Sequence, residues 1–332
     1  LIMYREDALQ ISRITDASNL ETIKRAARII RDGGLVAFPT ETVYGLGADA
    51  ENPQAVARIF EVKGRPRIDP VIVHVADIDA AMRYGNFPDS ARSLMRQFWP
   101  GPLTLIVEKK ATVPDIVTAG LDTVAIRIPN HPAALALIRE CGFGIAAPSA
   151  NPFGYVSPTE AQHVEEQLGN SIDLVLDGGP CTVGIESTIL SMASSVPCVL
   201  RAGGTSIEEL ESILGKLDVF IGTAPRPQAP GQLKRHYATQ TRLDIVDEEG
   251  EPPIAGDRIG LLCLTPPPDP RIYAAVEVLS QEGNLREAAA NLFRALRRLD
   301  ARGLDRIFAR PVPEEGLGLA IMDRLRRCAA RE

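Results

Sequence analysis

GGLVAFPTETVYGLGADA, residues 33–50, moves from two glycines into a short wholly apolar strand, LVAF, and then into a turn holding Thr40, Glu41, Thr42, Gly45 and Gly47. Upstream, SNLETIKRAARIIRD has helical spacing, with Ser18 as expected cap, Glu21 closing a capping box, and Gly33 and Gly34 as the stop. A helix running into a buried strand is the repeat unit of a layered α/β domain. The turn after the strand can gather hydroxyls and backbone amides around a small polar ligand. Its glycines can equally serve backbone geometry alone.

Working outward, the alternation repeats. Asn52 and Pro53 open a helix through Val62; VIVHV, LTLIV and VAIRI are strands; HPAALALIREC is a helix. After DLVLDGG, TILSM and CVLRAGG, Ser206 and Glu209 form a second capping box, on a helix ending near Leu214. From about Gly222 to Thr241 the chain is proline-containing, basic and without apolar periodicity, and reads as a linker unable to form a packed element. RLDIVD, RIGLLCL and DRIFA beyond it are strand-like, and two amphipathic helices lie in GNLREAAANLFRALRRLDARG and GLGLAIMDRLRRCAA. The division expected is a first α/β unit over residues 1–217, a linker over 218–241 and a smaller α/β unit over 242–332.

The 332 residues carry 36 basic and 43 acidic side chains, a net charge of −7, so the surface as a whole does not look like a nucleic-acid footprint. No apolar run is long enough to span a membrane, and a cytoplasmic protein is expected. Five widely spaced cysteines without a C-x-x-C pair point to buried thiols rather than zinc or disulfide scaffolds.

Polar residues at the ends of apolar strands are the candidates for chemistry, because open α/β sheets bind ligands there. Lys63, Arg65 and Arg67 crowd around Gly64 and Pro66, which suits a polyphosphate or makes a solvated charge run. His74 lies inside an apolar strand, as a ligand contact or a satisfied core histidine. Arg127 lies in another, where a guanidinium is costly unless paired with a substrate carboxylate or an internal Asp or Glu. Ser149, Asn151 and Ser157 stand on a proline-constrained segment before a helix starting near Thr159, an anion-friendly arrangement. Ser187, Thr188 and Arg201 complete the set. The sequence has no P-loop, G-x-G-x-x-G fingerprint, H-E-x-x-H or G-x-S-x-G.

Taken in order, PTETVYGLG, KGRP with VIVH, FWPGPLTLI, VAIRIPNHP, APSAN, VGIESTIL, LRAGG and PGQLKRHYA resemble the threonylcarbamoyl-AMP synthases in their long two-domain form. The resemblance implies an open, twisted mixed sheet with a concave cleft of the YrdC type, followed by a smaller Rossmann-like α/β domain. It implies a nucleotidyltransferase that joins L-threonine, bicarbonate or CO2 and ATP into L-threonylcarbamoyladenylate and pyrophosphate. That is the first step of tRNA modification at the adenosine next to the anticodon, with Mg2+ accompanying ATP. A downstream threonylcarbamoyl transferase complex is the implied partner, tRNA being reached indirectly.

Carried over residue by residue, Lys63, Arg65, Ser149 and Asn151 are the implied catalytic set. Asp69, Thr123, Ser157, Arg201, His236 and Tyr237 join them around ATP. Thr42, His74, Arg127, Ala147 and Ser187 are implied around threonine, and no protein metal ligand is assigned. Asp69 departs from the asparagine common in the family and would repel phosphates unless it faces magnesium or an arginine. The basic linker, Lys234 to Tyr237, is implied to fold over the cleft as a water-excluding lid or to be a passive tether. The alternatives are a carbamoyl-adenylate transferase for another acceptor and an RNA-binding module without turnover. A regulatory nucleotide sensor is a further one. No histidine follows His236, which disfavours a second, metal-binding catalytic domain.

Overall fold

The computed structural model describes residues 13–233, 236–247 and 257–330. Strand β1 (Ile14–Asp16) and helix α1 (Leu20–Arg31) lead into β2 (Val36–Phe38) and β3 (Gly45–Asp49). The cap of α1 is Asn19, whose side chain accepts from the Glu21 amide, while Ser18 turns back to Asp16. The capping box expected at Ser18 is therefore replaced by an Asx cap one residue later. α2 (Pro53–Lys63) starts on Asn52 as expected and stops on Gly64, whose left-handed backbone glycine tolerates.

Then come β4 (Ile72–His74), α3 (Ile78–Ala81), β5 (Gly85–Asn86), α4 (Ala91–Phe98), β6 (Leu103–Lys109), α5 (Asp115–Thr118) and β7 (Thr123–Arg127). α6 (Pro132–Cys141), β8 (Ile145–Ala146), α7 (Ala161–Leu168), β9 (Leu174–Asp177), β10 (Thr188–Ser191), β11 (Cys198–Arg201), α8 (Ile207–Leu214) and β12 (Asp218–Val219) follow. These strands make one mixed sheet of order β1-β9-β2-β3-β8-β4-β7-β6-β10-β11-β12, with β5 on the edge of β6. The capping box of Ser206 and Glu209 is present.

The second unit holds β13 (Leu243–Ile245), β14 (Ile259–Cys263), β15 (Ala275–Val278), α9 (Leu285–Asp300), β16 (Arg306–Ala309) and α10 (Gly318–Ala329). Its sheet runs β13-β16-β14-β15 with every pair parallel, as in Rossmann-type units. β15 is the strand the sequence reading did not pick out. It is short, at the sheet edge and half-buried throughout, so it has no alternation to read.

One apolar cluster bridges the two units. Val43, Val156, Ile185 and Ala202 of the first pack with Leu292, Phe293, Ile321 and Leu325 of the second, around Tyr237. At Gly184 a Cβ would lie 2.4 Å from Ala290 Cα, so only glycine lets this turn rest on the α9 backbone. Strand β12 starts within the expected linker, but from 220 to 242 the described residues form no helix or strand and are packed, against expectation. Ala229, Gln232, His236 and Tyr237 are buried, and the Gln232 side chain takes the Gln228 and Ala229 amides. Polar groups bonded to their own turn replace the apolar periodicity that a packed element was expected to need.

Candidate active site

The register of β4 on β7 sets His74 beside Arg127, at the end of two apolar strands. The turn FWPGP brings the Gly101 carbonyl to Arg127 Nε at 3.1 Å. On its other edge, Nη1 donates to Thr42 Oγ1 at 2.9 Å and Nη2 lies 2.7 Å from Glu41 Oε1. The Glu41 contact is one of charge rather than an aligned hydrogen bond. The partner left open at Arg127 is thus, in this structure, the internal Glu41.

Burial, with Arg127 nearby, pushes His74 down to about 3, so its imidazole is neutral. Its Nδ1 is buried without a hydrogen-bond partner among the described residues. Ala147 lies against the same strand, its amide donating to the Ile72 carbonyl at 2.9 Å.

A second set of cations faces these groups. Arg201 Nε and Nη2 donate to the Ser187 carbonyl at 3.1 and 2.9 Å, and Nη2 also reaches Ser187 Oγ at 3.1 Å. The Ser187 and Thr104 hydroxyls form a hydrogen bond at 2.7 Å, in which either can donate. A Cβ at Gly203 would lie 2.3 Å from the Glu186 carbonyl oxygen, so LRAGG approaches IEST this closely only because glycine stands there. Arg65 Nη2 lies 2.9 Å from Asp69 Oδ2 with both side chains buried, and Arg65 also holds the Asp69 and Pro70 carbonyls. Asp69 therefore faces an arginine. Burial raises its pKa, and Arg65 works against that rise.

Thr42, His74, Arg65, Arg127, Ala147, Ser149, Ser187 and Arg201 meet in one cleft of about 50 Å³, with Pro230, His236 and Tyr237 of the linker also lining it. Burial and the surrounding Arg65, Lys63, Arg201 and Arg327 keep His236 well below its ordinary pKa. Its Nδ1 and the Tyr237 hydroxyl are buried and unpartnered among the described residues. Lys234 and Arg235 lie outside the described residues.

Other candidates stand off this wall. Lys63 is buried behind it, its ammonium donating to the Ser149 carbonyl at 2.6 Å and to the Asn151 carbonyl. Burial and Arg65 push its pKa well down. Asn151 spends its amide on the Pro152 and Tyr155 carbonyls. Ser157 donates to Glu186 Oε1 at 2.6 Å, and it is Glu186 that reaches the cleft. Arg67 is exposed, apart from Lys63 and Arg65. Thr123 borders a separate cavity of about 600 Å³ with Ser191, Arg226 and Gln232.

Glu186, Thr104 and Pro230 are cleft or supporting groups to which the sequence reading gave no role. Glu186 was legible as the neighbour of Ser187 in IEST; Thr104 and Pro230 had no local signal. His131 and His163 are structural, each with Nδ1 accepting a backbone amide. All five cysteines are free thiols. Among the described residues no three His, Cys, Asp or Glu gather as a metal site, and no helix is long and apolar enough to cross a membrane.

Comparison with known proteins gives two family models end to end. One, described as telomere recombination, matches residues 28–203; the other, described as threonylcarbamoyl-AMP synthase C-terminal domain, matches 205–330. The chain is 44% identical to the threonylcarbamoyl-AMP synthase of Bacillus subtilis over 95% of this chain and 96% of that one. It is 42% identical to the synthase of Pyrococcus abyssi, over 92% and 94%. The crystal structure of P. abyssi Sua5 complexed with L-threonine superposes with a TM-score of 0.87 at 41% identity, covering 94% of this chain and 95% of that one.

Proposed function

The chain belongs to the threonylcarbamoyl-AMP synthases, and on that premise we propose that it condenses L-threonine, bicarbonate or CO2 and ATP into L-threonylcarbamoyladenylate and pyrophosphate. The observation that carries this reading is a single cleft lined by Arg127, His74 and Thr42 together with Arg65 and Arg201. Several guanidiniums in one cleft suit a substrate that carries both a carboxylate and a reacting phosphate.

Threonine enters with its carboxylate on Arg127, taking the place of Glu41. The neutral His74 and the Thr42 and Ser187 hydroxyls surround its amine and side chain. The amine nitrogen bonds to the carbon of CO2 and loses a proton, giving a carbamate. A carbamate oxygen then attacks the α-phosphorus of ATP, the bond to the bridging oxygen breaks, and pyrophosphate leaves. Arg65, Arg201 and Lys63 neutralise the charge that builds on the phosphates, while Ser149 and Asn151 shape the loop that holds them. An arriving anion also opposes the downward pull on the Lys63 ammonium. Magnesium comes with the nucleotide as part of that substrate.

The cleft of about 50 Å³ is well below the roughly 300 Å³ at which ligand sites begin. We infer that the linker swings out to admit ATP and returns over it, excluding water from a labile mixed anhydride. The side cavity bordered by Thr123 takes the adenine end. Delivery of the product to a threonylcarbamoyl transferase and thence to tRNA, in the cytoplasm, completes the reading.

The test is pyrophosphate release by purified protein with ATP, magnesium, bicarbonate and threonine, alongside mass spectrometry of the adenylate. Release dependent on both threonine and bicarbonate supports the reading. ATP turnover indifferent to threonine moves it to another acceptor.

A further inference from the structure

Helix α10 of the second unit reaches two residues that line the cleft, Glu186 and Tyr237. Arg324 on α10 is fully buried, with Nε and Nη2 at 3.1 and 3.0 Å from Glu186 Oε2. Nη1 donates to the Ala202 carbonyl at 2.6 Å and lies 3.1 Å from Asp323 Oδ2. The guanidinium carbon stands 5.3 Å from the centre of the Tyr237 ring. One turn on, Arg327 is held by Asp323 Oδ1 at 2.9 Å and donates to the Leu233 and Gly222 carbonyls of the linker at 3.2 Å each.

Burying an arginine costs several kcal/mol unless every edge is met, and here the planar fork meets all of its partners at once. The consequence falls on two cleft residues. Burial alone would raise the Glu186 pKa, but Arg324, Arg201 and the Ser157 hydroxyl outweigh it and hold it below the ordinary carboxylate value. Glu186 thus stays a fixed, charged acceptor at the cleft. Tyr237 has a φ of 64°, a left-handed backbone that a bulky residue keeps only where its surroundings hold it. Arg324 on one side and the Phe293 ring, stacked at 5.5 Å, are that hold.

We propose that Arg324 is a positioning residue for the synthase reaction, acting through Glu186 and Tyr237 without touching substrate, so that the C-terminal unit completes the catalytic centre. This rests on the function proposed above. Arg324→Lys keeps the charge and removes the fork; Glu186→Gln keeps the shape and removes the ion pair. In the whole two-unit chain, with rates corrected for folded fraction by thermal melts, Arg324→Lys lowers kcat by about 10-fold or more and leaves both KM values within about threefold. Glu186→Gln does the same, and the double variant is no worse than the poorer single by more than about threefold, because one contact is lost only once.

An unchanged kcat in folded Arg324→Lys, or losses that multiply in the double variant, overturns the proposal. Should Arg324→Lys fail to fold, Glu186→Gln and Asp323→Asn decide it: reduced kcat with steady KM supports it, and unchanged kcat in both overturns it. Wild-type protein without threonine-dependent pyrophosphate release overturns the reaction itself, and this proposal with it, before any variant is made.

Discussion

Arg127 and Arg324 each meet a buried glutamate, at 2.7 and 3.0 Å, yet they lie in regions built for different ends. Around Arg127 the partners are a hydroxyl, one carbonyl and a loosely aligned carboxylate, and the guanidinium is part of the cleft wall. Around Arg324 every edge is occupied, an aromatic ring covers it, and the apolar seam between the units encloses it. A buried ion pair by itself is weak evidence of stability or of function. What separates the two is the setting: an arginine that faces open volume can exchange its glutamate for a substrate, and one walled in by protein can only hold its neighbours in place.

The strongest way to break this comparison is Arg127→Ala. Losing a charged partner in a desolvated site costs a few kcal/mol, so the apparent threonine requirement should rise about 100-fold while that for ATP moves little. Equal effects on both substrates would remove Arg127 from the carboxylate role. Deleting residues 232–238 tests the cover next. About a 10-fold fall in adenylate yield per pyrophosphate released is expected, because water then reaches the mixed anhydride. An unchanged yield from a folded first unit would leave the segment a tether.

Acid sharpens the contrast by acting on buried and half-buried histidines in both regions. Burial is the first cause of a lowered pKa at all four, with His74 near 3 in the cleft and His163 near 4 beside Arg297, Arg294 and Arg298 of α9. The unfolded chain takes up protons near 6.5 that the folded chain refuses, so this contribution is fully present above about pH 6.5 and is lost as pH falls toward the folded values. The melting temperature should drop by roughly 5 °C or more between pH 6.5 and 4, and less steeply in His163→Gln. A flat profile would contradict the neutral, buried imidazoles. The smallest effect is expected at Asp69→Asn. Releasing Arg65 from its carboxylate should lower the ATP KM by about threefold, on the scale of a modest electrostatic change; a rise would mean that Asp69 serves nucleotide binding by orienting Arg65.

Much of the cleft was legible because polar residues inside apolar strands are conspicuous. His74 and Arg127 stood out that way, and the strand register then set them side by side. Lys63 and Arg65 stood out as a charge cluster, but their sequence could not say that both side chains are buried while Arg67 is exposed. The seam was far less legible. Glu186 and Arg324 are 138 residues apart, and no local pattern links them. One trace exists: Arg324 falls three residues after Ile321 and four before Cys328, within the apolar stripe of α10, where a charge needs a partner. The linker misled for a related reason. Its packing comes from side chains bonded to their own turn and to distant walls, which leaves no period to read.

The most direct measurement is pyrophosphate release by the purified protein with ATP, magnesium and bicarbonate, with and without L-threonine, followed at once by mass spectrometry. Release that requires threonine and bicarbonate, with an adduct of the mass of threonylcarbamoyl-AMP, is the expected result. Folded protein that binds ATP but releases no pyrophosphate in response to threonine would contradict it.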